Sequence, residues 1–213
     1  MIHYQWNYFL KNVTFQISLI LLFLVAVSKI NASSKFYYAE QWYVIFHAQM
    51  KKNPKNYKKN IFFLQKALKY PFGNPKYSLT KIETKKQWIK YKLLFKMHVN
   101  LLLVKQNLYL GDLFDTRNLY FFKTSEKNEI ILNLEKSKKL YKMAINYYNE
   151  ALKYHKKLEN YKYVKLEKDG ITSWENEYHK ISLKELDYYD IIKKELLRIE
   201  KTKVFFEQKP NYY

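Results

Sequence analysis

The stretch "AINYYNEALKYHKK", Ala144 to Lys157, decides how this chain is read. Its lysines and tyrosines suit either a basic surface on which bases stack or one helix of a repeat that packs on its neighbours. An internal match favours the second. "INYYNEALKY" (Ile145 to Tyr154) and "IFFLQKALKY" (Ile61 to Tyr70) share the leading Ile and the closing Ala-Leu-Lys-Tyr in register. In both copies a small residue, Ala67 or Ala151, lets a neighbouring helix approach closely. A large residue three positions earlier, Leu64 or Tyr148, fills the adjoining groove. With Ala144 before Tyr148, and Leu68 or Leu152 after the alanines, the tyrosines read as packing.

Outward from these copies, residues 36–213 read as one all-α domain, helix after helix with punctuated breaks. Phe36 to Met50 and Tyr57 to Tyr70 flank "KKNPKN", where Pro54 and the asparagines supply the turn of a hairpin. Pro71, Gly73 and Pro75 stop the second helix. Thr80 with Glu83 has capping-box spacing and is expected to open a long central helix to about Leu113. "LLFKMHVNLLLV" in that helix is apolar on more than one face, yet Lys96, His98 and Asn100 interrupt it, so it is not a membrane span. "DTRNLYFFKTSEKN" links to a helix from Lys127 to Leu158, whose Ile130, Leu134, Tyr141, Ala144, Tyr148, Ala151 and His155 share one face. Thr172 with Glu175, and Ser182 with Glu185, are expected to begin the last two helices. Leu186, Tyr189, Ile192, Leu196 and Ile199 form the final apolar stripe.

Residues 1–35 carry a different signal. Between Lys11 and Lys29 there is no charge, and the core of the segment includes Phe15, Ile17, Leu19, Leu21, Leu22, Phe23, Leu24 and Val25. A run this apolar is read as a secretory signal peptide or an uncleaved signal-anchor helix. Cleavage after Ser28, with Ala26 in the small-residue position, or after Ala32 are both open. Tyr4, Trp6, Tyr8 and Phe9 on one side and Phe36, Tyr37 and Tyr38 on the other suit an interfacial aromatic belt. Either option exports the helical domain.

The pattern Ala144, Tyr148, Ala151, Leu152 resembles the second helix of a tetratricopeptide repeat, where small and aromatic residues alternate so that stacked hairpins interlock. The two copies lie 84 positions apart, which is not a multiple of 34, and Asn60 stands where the first copy should have a small residue. Any repeats are degenerate, and an irregular bundle is the alternative. More widely, "YPFGNPKYSLTKIETKKQWIKYKLLFKMHVNLLLVKQNLYLGDLFDTRNLYFF" (Tyr70 to Phe122) resembles a family of exported, repeat-like helical proteins from spirochaetes. The wealth of Lys, Asn, Ile and Tyr is similar to that of Borrelia-type genomes. The resemblance implies a periplasmic scaffold, inner-membrane anchored or secreted into the periplasm, of the kind that builds the collar around the flagellar motor. It implies no site residue.

Composition narrows the classes of function. The chain has 213 residues, a formal charge of +20 and no cysteine, which excludes disulfides, thiolate metal sites and cysteine nucleophiles. So much positive charge ordinarily favours a polyanion. Only Arg117 and Arg198 among the 39 basic residues are arginine, the better reader of phosphate and bases, and A/T-rich codons account for much of the lysine. Nucleic acid is therefore the second reading: a basic RNA-binding protein of a membrane-associated or organellar ribosome. The five histidines are dispersed, and His98 and His155 fall on apolar faces as hydrogen-bonded core residues. Three glycines build no phosphate loop. The pairs Asp112/Asp115 and Asp187/Asp190 read as structural charges. No catalytic residue, cofactor site, metal site or small-molecule substrate is evident, and the chain is read as non-enzymatic. The expected partners are the inner membrane, through the N-terminal segment, and proteins of a membrane-associated complex. Trp42, Tyr43, Trp88 and Trp174 are the candidate partner anchors, with a place in the core as the equal alternative for each.

Overall fold

The computed structural model describes residues 36–115, 127–167 and 170–208. The chain divides into two units, Met1–Phe36 and Tyr37–Tyr213, and every described helix belongs to the second. The apolar segment expected to meet the membrane lies outside the described residues, as do Arg117 and most of the 114–127 link. Among the described residues there are six α-helices and no strand: α1 (Ala39–Lys52), α2 (Tyr57–Lys69), α3 (Lys85–Phe114), α4 (Lys127–Leu158), α5 (Thr172–Ser182) and α6 (Tyr188–Gln208). None is long and apolar enough to cross a membrane.

The first hairpin forms as its sequence dictates. Gln41 Oε1 accepts the amide hydrogens of Tyr37 and Tyr38 at the start of α1, and Asn56 caps α2 by accepting from the Lys59 amide at 3.2 Å. The start of α3 differs from expectation. Its cap is Thr84, whose Oγ1 accepts from the Gln87 amide while Gln87 Oε1 accepts from the amides of Glu83 and Thr84. Thr80, expected to cap, is drawn off by tertiary structure: its hydroxyl donates to the Glu167 carbonyl at 2.7 Å. The last two helix starts also move. Ile171 caps α5 with Thr172 already helical, and Ser182 ends α5 instead of opening α6. Lys184, at a φ of 58°, turns the chain between them, and its amide and those of Glu185 and Leu186 donate back to Ile181 and Lys180.

Packing follows chain order: α1 on α2, α2 on α3, α3 on α4, with α5 against α3 and α6 against α4. The α3–α4 seam is the most extensive. The buried positions of α4 are Ile130, Leu134, Ser137, Tyr141, Ala144, Tyr148, Ala151 and Leu158, which step by four and three in alternation until the last step of seven. That 3.5-residue rhythm keeps one stripe facing α3, as in a two-helix supercoil. His155, expected on the buried face, is half-buried and meets the Ser182 hydroxyl at 2.9 Å. Helix α3 is buried on several sides, and its polar core residues bond within the bundle: Asn100 and Asn107 donate to carbonyls one turn back, and Gln106 accepts from Asn60. Near its end Gly111 lets α4 come close, because a Cβ there would stand 2.4 Å from the Tyr141 ring.

Candidate functional site

Where α1, α3 and α5 meet, buried polar side chains bond across the three helices. Trp174 of α5 is fully buried and inserts between α1 and α3. Its ring lies 5.6 Å from Tyr43, 5.8 Å from Tyr91, 5.6 Å from Phe95 and 5.3 Å from His98. Trp174 Nε1 donates to the Tyr43 hydroxyl at 3.2 Å, and that hydroxyl lies 2.9 Å from His98 Nε2. On the other side of the ring, His98 Nδ1 is 2.6 Å from Glu177 Oε2, and Lys105 Nζ donates to Glu177 Oε1 at 3.2 Å.

The donor inventory sets the directions. Trp174 can only donate, so the Tyr43 oxygen accepts from it. An ionised Glu177 can only accept, so His98 Nδ1 carries a hydrogen. Burial works to raise the Glu177 pKa, but the bond and charge of His98 and the nearby Lys105 outweigh it and hold the carboxyl below its ordinary value. Burial pushes the Tyr43 phenol up to about 12, only partly relieved by the Trp174 bond. His47, beside Tyr43 on α1, is pushed down by burial and by the proximity of His98 and Lys51.

A tyrosine, a histidine and a glutamate in line have the elements of a proton relay, yet Tyr43 and His98 are closed inside aromatic packing. The nearby hollow, between Lys90, Glu175, Tyr178 and His179, holds about 30 Å³, space for little more than a water. The arrangement is a joint. It ties α5 to two earlier helices, and Lys90 adds a second tie through Glu175 and the Val164 carbonyl, both at 2.7 Å. A separate knot fastens α6: Tyr141 donates to Asp112 at 2.7 Å and to Asp115 at 3.2 Å, and Arg198 pairs with Asp115 and with Glu195. Among the described residues no cluster of His, Asp and Glu could hold a metal.

These positions correct two of the partner anchors. Tyr43 and Trp174 are core residues, because the groove they were expected to offer a partner is filled by the chain's own α5. Trp42 and Trp88 are half-buried: Trp42 lies against Phe63 and Tyr70, and Trp88 stacks on Tyr91. The repeat positions Leu64, Ala67, Ala144, Tyr148 and Ala151 are buried, and Leu68 and Leu152 partly so. Across the two copies Gln65 Nε2 donates to the Tyr147 hydroxyl at 2.8 Å.

Two exposed surfaces were not anticipated from the sequence. On α6, Leu197 and Val204 stand one heptad apart, opposite the buried Tyr188, Ile192 and Ile199, and are 55% and 41% exposed, with Phe205 and Ile191 at the margins. On the first hairpin, Phe62 is 46% exposed among lysines. The signal for both was present as apolar residues off the buried stripe, but an isolated exposed leucine or phenylalanine carries no meaning until the neighbouring faces are known. A family model described as a domain of unknown function (DUF8513) matches residues 86–209. No curated protein and no solved structure matches the chain.

Proposed function

The chain belongs to the DUF8513 family, and from its helical packing we infer that it is a non-enzymatic helical scaffold that holds protein partners at a membrane. Its hairpins stack in the tetratricopeptide manner, and the segment within residues 1–35 exports or anchors them on the periplasmic side of the inner membrane. The assembly proposed for it is the collar of a spirochaete flagellar motor. The partner face is α6, whose Leu197 and Val204 are exposed among the described residues, as at the end of a helical stack that meets a further element.

One observation carries this reading above the others: four consecutive helices pack each on the next, the buried stripe of α4 alternates small residues with tyrosines, and the two sequence copies touch through Gln65 and Tyr147. The closed Tyr43–His98–Glu177 joint supports a structural over a catalytic use of the polar core, since Tyr43 and His98 are buried and the hollow near them holds about 30 Å³.

The test follows a C-terminal tag in cells. Digestion by added protease once the outer envelope is permeabilised supports export, and protection until lysis overturns it. In the same strain Leu197→Lys with Val204→Lys should leave the fold within about 0.5 kcal/mol of wild type, as surface changes do. It should abolish co-purification with the motor ring from the envelope fraction. Undiminished recovery of the ring would remove the assignment of α6 as the partner face.

A further inference from the structure

From Gln41 to Ile82 the chain carries nine lysines and no aspartate or glutamate. The acid just before that stretch, Glu40, is turned inward: it is 4% exposed and accepts from the Gly73 amide at 3.1 Å. Among the described residues, none of the lysines from Lys51 to Lys76 has a carboxylate within salt-bridge distance. Elsewhere lysines pair freely, Lys138 with Glu200, Lys153 with Glu150 and Lys203 with Glu135. The outer face of α2 places Lys59, Phe62, Lys66 and Lys69 at spacings of three and four, so they share one side of the helix. Lys66 Nζ lies 5.2 Å from the Phe62 ring centre, and Lys59 Nζ 5.8 Å from that of Phe63.

We propose that this face of the first hairpin docks on an anionic phospholipid surface, with Phe62 and Trp42 at headgroup depth and Lys59, Lys66 and Lys69 on the lipid phosphates. Two observations point to lipid. The face is cationic without internal neutralisation, which fits a surface of like-charged headgroups. Its aromatic residues lie beside lysine stems, an arrangement suited to an interface where apolar bodies sit inward and charged heads reach the phosphates. A nucleic acid fits less well. No arginine, the better reader of phosphate and bases, stands in the hairpin. The tether also suits lipid. The apolar segment ends at Ile30 and α1 begins at Ala39, nine residues of chain that reach at most about 32 Å. Only this tether rests on the membrane reading of the N-terminal segment; the charge and ring geometry stand without it.

The absence of cysteine makes a single label unique. Full-length Phe62→Cys, carrying a polarity-sensitive dye, is mixed with vesicles of phosphatidylcholine alone or with added phosphatidylglycerol, and flotation is scored alongside emission. Leu183→Cys, 67% exposed at the α5–α6 turn, carries the control label. A blue shift at position 62 only with phosphatidylglycerol, reversed by high salt and absent at position 183, supports the docking. Each lysine contributes roughly a fivefold gain at an anionic surface, so Lys59→Gln, Lys66→Gln and Lys69→Gln together should weaken the docking equilibrium about a hundredfold. Equal emission in both vesicles overturns the inference, and flotation with phosphatidylcholine in that case leaves the anchored reading standing. A shift without flotation on neutral vesicles supports the docking face and removes the anchor. A response to single-stranded RNA with none to anionic vesicles overturns the inference in favour of a nucleic-acid face.

Discussion

The first hairpin and the last helix are built alike on their inner sides and differently on their outer sides. Each buries one stripe against the α3–α4 pair, α2 through Leu64 and Ala67, α6 through Ile192 and Ile199. Outside, the hairpin from Ala39 to Lys69 shows seven lysines against one buried acid, whereas α6 mixes five basic with four acidic residues around an apolar stripe. Inner faces obey the same packing rule and so converge, while an outer face is free to answer to whatever it meets. A cationic aromatic face and a charge-balanced apolar face are suited to different occupants, which is why lipid is assigned to one and protein to the other.

The joints that fasten the two regions offer the sharpest ways to break this comparison. Trp174→Ala should have the largest effect, about 3–5 kcal/mol in denaturant unfolding, because it empties the space between α1 and α3 and removes the Tyr43 bond. Hydrogen exchange should show α1 and α5 opening before α6. A loss below about 1 kcal/mol would mean that the hairpin holds without α5.

The next effect is on pH. The Tyr43 pKa is raised from 10.0 to about 12, so above pH 10 the unfolded chain releases a proton that the folded chain retains. Stability is full below pH 10 and falls as the pH climbs toward 12, by about 2–3 kcal/mol for two pKa units. Equilibrium unfolding across that window should show the decline, and Tyr43→Phe should lessen it by that amount, the remainder coming from Tyr91, Tyr141 and Tyr188, whose burial raises their phenols as well. Glu177 has the opposite sense. Its pKa is depressed below 4.5, so its contribution is present above that pH and lost as the pH falls through the lower, folded-state value.

Gly111→Ala should have the smallest effect of the three, about 1–3 kcal/mol from overpacking, since the new Cβ meets the Tyr141 ring. It displaces the residue that holds Asp112 and Asp115, so exchange should rise first in α6 and leave the Trp174 joint protected. Simultaneous opening of both regions would show that they are one cooperative unit with no separable fastenings.

Much of the fold was legible because it rests on local rules. The hairpin turn at Pro54, the stripe on α4, the buried alanines of both copies and the centrality of α3 all follow from periodicity and breakers that act over a turn or two. The helix starts were less legible. "TKIET" offers two threonines as caps, and the sequence gives equal chemistry to each; Thr84 prevails because Thr80 finds the Glu167 carbonyl, 87 positions away. Two of the candidate anchors, Tyr43 and Trp174, fall in the core for a related reason. Trp42, Tyr43, Trp88 and Trp174 are all aromatic residues on amphipathic helices, and nothing local distinguishes a tryptophan that faces a partner from one that fills the chain's own groove.

By itself the sequence determined that the domain is helical, that small and aromatic residues interlock along α4, and that the first hairpin bears positive charge with no acid to balance it. These are properties of spacing and composition, fixed before any two helices meet. Tertiary structure alone decided that Trp174 closes the groove, that His98 lies between Tyr43 and Glu177, and that Phe62 and Leu197 remain outside. Burial is a relation between elements far apart in the chain, and a side chain acquires it only when another helix arrives to cover it.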